Sequence, residues 1–103
     1  MLTLSIPKQQ EIEAIVEAAK EELRPFVQHI RWEFGRDWSG DSALFFRIVL
    51  PDTVVRGRQR HRITEQVRRH LIERVRPQER GLLAYFSFRG QSEQAALREE
   101  AWM

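Results

Sequence analysis

Asp37, Ser39 and Asp41 stand at i, i+2 and i+4, the spacing of the first oxygen ligands of a calcium loop. The glycine and the terminal glutamate that such a loop needs are missing, and Gly40 sits elsewhere. Hairpin-turn chemistry is the better reading. Asp and Ser side chains bond nearby backbone, and Gly40 tolerates positive φ. The paired carboxylates also suggest acid–base work, but no base or nucleophile is anchored near them. His29, His61 and His70 are too scattered to form a local ligand set. His70 lies beside an apolar helical stripe and reads as a partly buried structural histidine. Ser39 is not in a G-x-S-x-G elbow, and no P-loop or G-x-G-x-x-G occurs. With no cysteine, disulfides, zinc-thiolate sites, iron–sulfur clusters and thiol nucleophiles are excluded. No catalytic residue, cofactor or metal ligand is assigned, and no enzyme is expected.

The basic residues offer a different chemistry. Of 17 Lys and Arg, only Lys8 and Lys20 are lysine. Residues 56–80 hold nine arginines against Glu65, Glu73 and Glu79, a net of +6. The whole chain carries only +2, so the charge is polarised into this block. Arg56, Arg58, Arg60, Arg62, Arg68 and Arg69 form its basic run. Alternate loop residues are arginine, so an extended loop would line them on one side. Phosphate contact, and with it RNA or DNA binding, is one expectation. A solvated face is the plainer one. An acidic protein partner, or the glutamate face of the first helix in a second copy, lies between them.

These side chains must be positioned by a single domain, residues 1–103. The 42% hydrophobic content excludes a disordered chain. No signal peptide is read at the N-terminus, and the apolar run Ala43–Leu50 is too short to span a bilayer. A cytoplasmic protein without membrane partners is expected. Residues 8–24 predict an amphipathic helix through Ile12, Ile15, Val16, Ala19 and Leu23, ended by Pro25. Residues 26–38 alternate as a strand, and residues 42–50 form a second, giving an antiparallel hairpin. A polar loop at 53–60 precedes a helix at about 61–76, stopped by Pro77. A last strand is expected at 82–89. A short C-terminal helix at 92–101 has Ser92 as its N-cap.

The order α-β-β-α-β predicts an α+β two-layer sandwich with an antiparallel sheet. Leu2, Leu4 and Ile6 alternate with Thr3 and Ser5. If residues 2–6 pair, the order becomes ferredoxin-like β-α-β-β-α-β. Parity sends Ile30, Trp32, Phe34, Leu44, Phe46, Ile48, Phe86 and Phe88 to the core. The opposite face mixes charge with large apolar groups, which predicts a partner. Trp38, Phe45, Arg47, Val49, Tyr85 and Arg89 are the expected protein-binding or self-association residues. Tyr85 and Phe45 are also candidate stacking groups for nucleic acid. Arg89 is within expected reach of Asp37, Asp41 or Glu93.

Three segments carry a resemblance: Asp37-Trp38-Ser39-Gly40-Asp41, then Leu50-Pro51-Asp52, then Tyr85-Phe86-Ser87-Phe88-Arg89 leading to Ser92-Glu93-Gln94. Over residues 26–103 the chain resembles a group of small uncharacterised bacterial proteins. Such proteins are often encoded beside a second small protein, including helical HEPN-type ones. The resemblance implies the binding or neutralising, antitoxin-like half of a two-gene module. The element order is also similar to KH-type RNA-binding domains, but their G-x-x-G loop between two helices is absent. The expected function is therefore a non-catalytic protein–protein interaction module, with nucleic-acid binding as the alternative.

Overall fold

Ser5 starts the first helix by accepting the Lys8 amide hydrogen on its hydroxyl, and Pro7 fits the first turn. In this computed structural model, which describes residues 4–103, helix α1 runs Ile6–Glu22. Its Ile12, Val16 and Ala19 are buried. Leu2 and Thr3 of the expected leading strand lie outside the described residues. Leu4 is not in a strand but packs against the core, and Ile6 is already helical.

Strands β1 (His29–Arg36) and β2 (Ser42–Leu50) pair antiparallel, with Ile30, Trp32 and Phe34 opposite Ile48, Phe46 and Leu44. The chain then forms the short helix α2 (Asp52–Val55), helix α3 (Arg60–Val75) and a 3₁₀ turn, Pro77–Arg80. Strand β3 (Leu83–Gly90) follows, then helix α4 (Gln91–Leu97) and a 3₁₀ turn, Glu100–Trp102. No helix among the described residues is long and apolar enough to cross a membrane.

The fold is α+β, but its three-stranded sheet is mixed rather than antiparallel. The strand order is β1-β2-β3, and β3 runs parallel to β2 with Phe46 beside Phe86 and Ile48 beside Phe88. The cause is α3. Its 16 residues span about 24 Å, enough to carry the chain back past most of β2 before β3 begins. Both orientations have the same alternation, so periodicity alone could not distinguish them.

Helices α1 and α3 share one core with a single sheet face. Val67, Leu71 and Val75 of α3 meet Ile12, Val16 and Ala19 of α1 over Ile30, Leu44, Phe46 and Ile48. Trp32, Phe34, Phe86 and Phe88, on the two outer strands, are half-buried against this core. Phe46 and Phe86 stack with centroids 5.0 Å apart. Trp32 donates its indole N–H to Glu13 at 2.6 Å, fixing β1 to α1.

The glutamates of α1 are largely engaged within the chain. Glu11 pairs with Arg80 at 2.8 Å, and Glu22 accepts from Arg74 and faces His70 Nε2 at 3.3 Å. Glu17 pairs with Lys20, and Glu21 with Arg24. That acidic face is therefore taken up by the chain's own cations.

At the C-terminus, Gly90 rather than Ser92 is the N-cap of α4. Asp52 supplies the acceptor from another helix. Its carboxylate takes the Ser92 amide hydrogen at 2.9 Å and also the Ser92 hydroxyl. A Cβ at Gly90 would come within 3.2 Å of the Val55 side chain, which would have to shift by a few tenths of an ångström. The expected helix stops early at Arg98, whose φ of 53° turns the chain. Residues 99–103 then fold back over the sheet face opposite the core.

Candidate interaction surfaces

The folded-back tail covers one end of that face. Trp102 is 8% exposed and lies beneath the Arg89 guanidinium, 4.2 Å from its ring centroid. Arg89 also pairs with Glu99 at 3.1 Å and donates to Gln94 at 2.8 Å. Arg31 donates to the Glu100 carbonyl, and His29 Nε2 donates to the Met103 carbonyl at 2.8 Å. Val49 is only 5% exposed as a result. Val49 and Arg89, both expected to meet a partner, are thus covered by the chain's own tail. Arg89 reaches Glu99, not Asp37, Asp41 or Glu93.

The other four residues gather at the open end. Phe45 and Tyr85 are neighbours in register and stack at 5.4 Å with an 18° interplanar angle. Trp38 leans on Tyr85 at 5.4 Å and 56°. Arg47 pairs with Glu33 across the strands at 2.9 Å. Asp37 organises the turn. Its Oδ1 accepts the amide hydrogens of Ser39 and Asp41 at 2.9 and 3.0 Å. Its Oδ2 accepts the Tyr85 hydroxyl hydrogen at 2.7 Å. Gly40 adopts a φ of 85°, and Arg36 donates to its carbonyl. The Tyr85 bond, with the turn amides, holds the Asp37 carboxyl below its ordinary value. The same bond pushes the Tyr85 phenol above its ordinary value.

Trp38 is nevertheless 84% exposed. Leu83, 44% exposed, lies two residues before Tyr85 on the same sheet face. Leu83 and Ile72 line one cleft at the outer edge of β3. An apolar border therefore follows the open edge from the turn toward α3.

Both oxygens of Asp37 are committed to hydrogen bonds, which disfavours the calcium-loop reading. No cluster of three or more His, Cys, Asp or Glu suited to a metal occurs among the described residues. His29 and His70 meet different partners, and His61 is exposed on α3.

The arginine run is not extended as expected. Arg56 caps α2, Arg58 lies in the turn between helices, and Arg60 and Arg62 are helical. On a helix, side chains two residues apart diverge by about 200°, so Arg60 and Arg62 do not line one side. Arg62 and Arg69, seven residues apart, do share a face. All six arginines are exposed. Arg68 pairs with Glu65 at 3.2 Å. Arg56, Arg58, Arg60, Arg62 and Arg69 form no ion pair among the described residues.

Sequence reasoning missed Phe26, placing it at the start of a strand. Val27 fills the core instead, and Phe26 is left 41% exposed in a cleft with Pro25, Gly57 and Arg58. The adjacent proline was the signal that this segment precedes the strand. The chain matches no protein-family model, no curated protein and no solved structure.

Proposed function

We propose that the chain is a non-catalytic protein-interaction module that docks a second copy of itself or a cognate protein. The observation that carries this reading is Trp38, almost fully exposed on a turn held by its neighbours. A large aromatic held in place in the free protein loses little freedom on binding, and Trp, Tyr and Arg dominate interface energetics. Tyr85 packs against it, Phe45 stacks on Tyr85, and Arg47 follows two residues along β2, paired with Glu33. In a two-layer arrangement the helices occupy the far face, leaving this end and the β3 edge to a partner. The antitoxin-like half of a two-gene module, in the cytoplasm, fits this role. Light scattering on the purified chain, with pull-down against the adjacent gene product, tests the proposal. A monomer that retains neither copy nor partner refutes it.

A second reading is supported by Arg56, Arg58, Arg60, Arg62 and Arg69, exposed within one stretch and in no ion pair among the described residues: binding to the phosphates of RNA or DNA. Affinity for mixed-sequence oligonucleotides must then fall steeply with salt. No binding at low ionic strength removes this reading.

A further inference from the structure

We infer that the Phe26–Arg58 cleft is a stacking site for an unpaired base of a single-stranded nucleic acid. This inference rests on the phosphate-binding reading and adds the class of strand and the residue that selects it.

The cleft is lined by Pro25, Phe26, Val54, Gly57, Arg58 and Ile63. It holds about 340 Å³, near the lower end for ligand sites, so it suits one flat group rather than an extended molecule. Gly57 packs closely on the end of α2. A Cβ there would lie 2.9 Å from the Thr53 carbonyl oxygen. A half-exposed phenylalanine and Arg58 thus line one cleft, on the border of the arginines that form no ion pair among the described residues.

The charge distribution is selective. Arg24, Arg47, Arg68, Arg74, Arg76, Arg80 and Arg89 all have carboxylate partners. Among the described residues, those without one are Arg31 and Arg36, which donate to backbone carbonyls, Arg98, and the cluster Arg56, Arg58, Arg60, Arg62 and Arg69, which includes the one lining the cleft. The first turn of α3 adds Arg60, His61 and Arg62 and no acid. That placement opposes the helix dipole and raises the local positive field.

A neighbouring anion would relieve this repulsion. An acidic protein could supply charge, but it would not explain an aromatic cleft inside the cationic border. A duplex supplies phosphates but keeps its bases stacked internally. An unpaired strand supplies both a phosphate for Arg58, which lines the cleft, and a free base for Phe26.

The test is fluorescence anisotropy with labelled mixed-sequence 12-mers, as single-stranded RNA, single-stranded DNA and the corresponding duplexes. Single strands are expected to bind more tightly than duplexes. Phe26→Ala should weaken single-strand binding by about 10-fold or more and leave duplex binding unchanged. Phe26→Trp should restore it. Arg58→Ala should weaken both and lower the single-strand salt slope by about 0.7 per lost phosphate contact. Thermal melts confirm that each variant is folded.

If single strands and duplexes bind alike and Phe26→Ala changes neither, the stacking inference fails while the phosphate reading stands. If no oligonucleotide binds at low salt, both fail. Comparing the RNA and DNA arms identifies which strand the site prefers.

Discussion

Trp102→Ala tests whether the C-terminal tail is a fixed part of the sheet. Tryptophan buries roughly 150–250 Å² of surface in a folded protein. At about 25 cal/mol per Å², some 200 Å² corresponds to about 5 kcal/mol. Residual compactness of the unfolded chain lowers such figures by roughly 10–40%. Trp102 lies at the edge of the structure, where neighbours can partly close the gap. The expected loss is therefore about 3 kcal/mol, at the lower end for aromatic-to-alanine changes. For a domain of this size that lowers Tm by at least about 12 °C. Urea unfolding followed by circular dichroism reads the loss as a lower midpoint. Arg89→Ala alone and combined with Trp102→Ala should reveal coupling of about 0.5–1 kcal/mol from the stacked guanidinium. A loss below about 1 kcal/mol for Trp102→Ala refutes the reasoning. The tail would then not be docked, and Val49 and Arg89 would return to the surface open to a partner.

Trp38→Ala should change stability by less than about 0.5 kcal/mol yet abolish self-association or partner capture, read by urea melts and light scattering. Gly57→Ala should cost about 1–3 kcal/mol, because its Cβ must push aside the Thr53 carbonyl; an unchanged urea midpoint would contradict the close approach. Asp37 and Asp52 are both held below their usual 3.8, mainly by Tyr85 and Ser92 respectively. Their contributions are present above that value and lost as pH falls through the lower folded-state values. Ser92→Ala should flatten the acid limb of a Tm-against-pH profile. Tyr85 carries the opposite sign: its contribution is complete below its usual 10.0 and lost as pH rises through the elevated folded-state value, so Tyr85→Phe should flatten the alkaline limb.

The sequence made β2 legible residue by residue, and helices α1 and α3 within about two residues. Their apolar periodicities are strong and their ends are marked by Pro7, Pro25 and Pro77. The four-residue α2 was hidden because Val54 and Val55 favour strands and one helical turn has no periodicity to detect. The C-terminal break was hidden for a different reason. Arg98 adopts the left-handed region, which glycine usually signals and arginine does not. The chain turns at Arg98, and contacts from His29, Arg31 and Arg89 hold the fold-back of Trp102. The fold-back divided a partner face that strand parity had treated as uniform. Parity and turn chemistry placed Phe45, Arg47 and Tyr85 on the face away from the core and Trp38 at the exposed turn. That the tail covers Val49 and Arg89 depends on a long-range contact that no local pattern signals.

The same topology separates the two proposed binding surfaces. The Asp37–Asp41 turn leads into β2 at Ser42, while Pro51 and the arginine-bearing segment follow its other end at Leu50. Nine strand residues span about 30 Å. Phe26 lies at the arginine end as well, because β1 starts beside Val49. A protein seated on Trp38 and a strand seated on Phe26 would occupy opposite ends of the sheet. Charge sorting reinforces this division. Arg74 and Arg80, from the later part of the basic block, are neutralised by Glu22 and Glu11 of α1. The earlier part, Arg56 to Arg69, keeps most of its charge unpaired. The net charge of +2 therefore conceals a molecule with one cationic pole and one aromatic pole, joined by the strand that both flank.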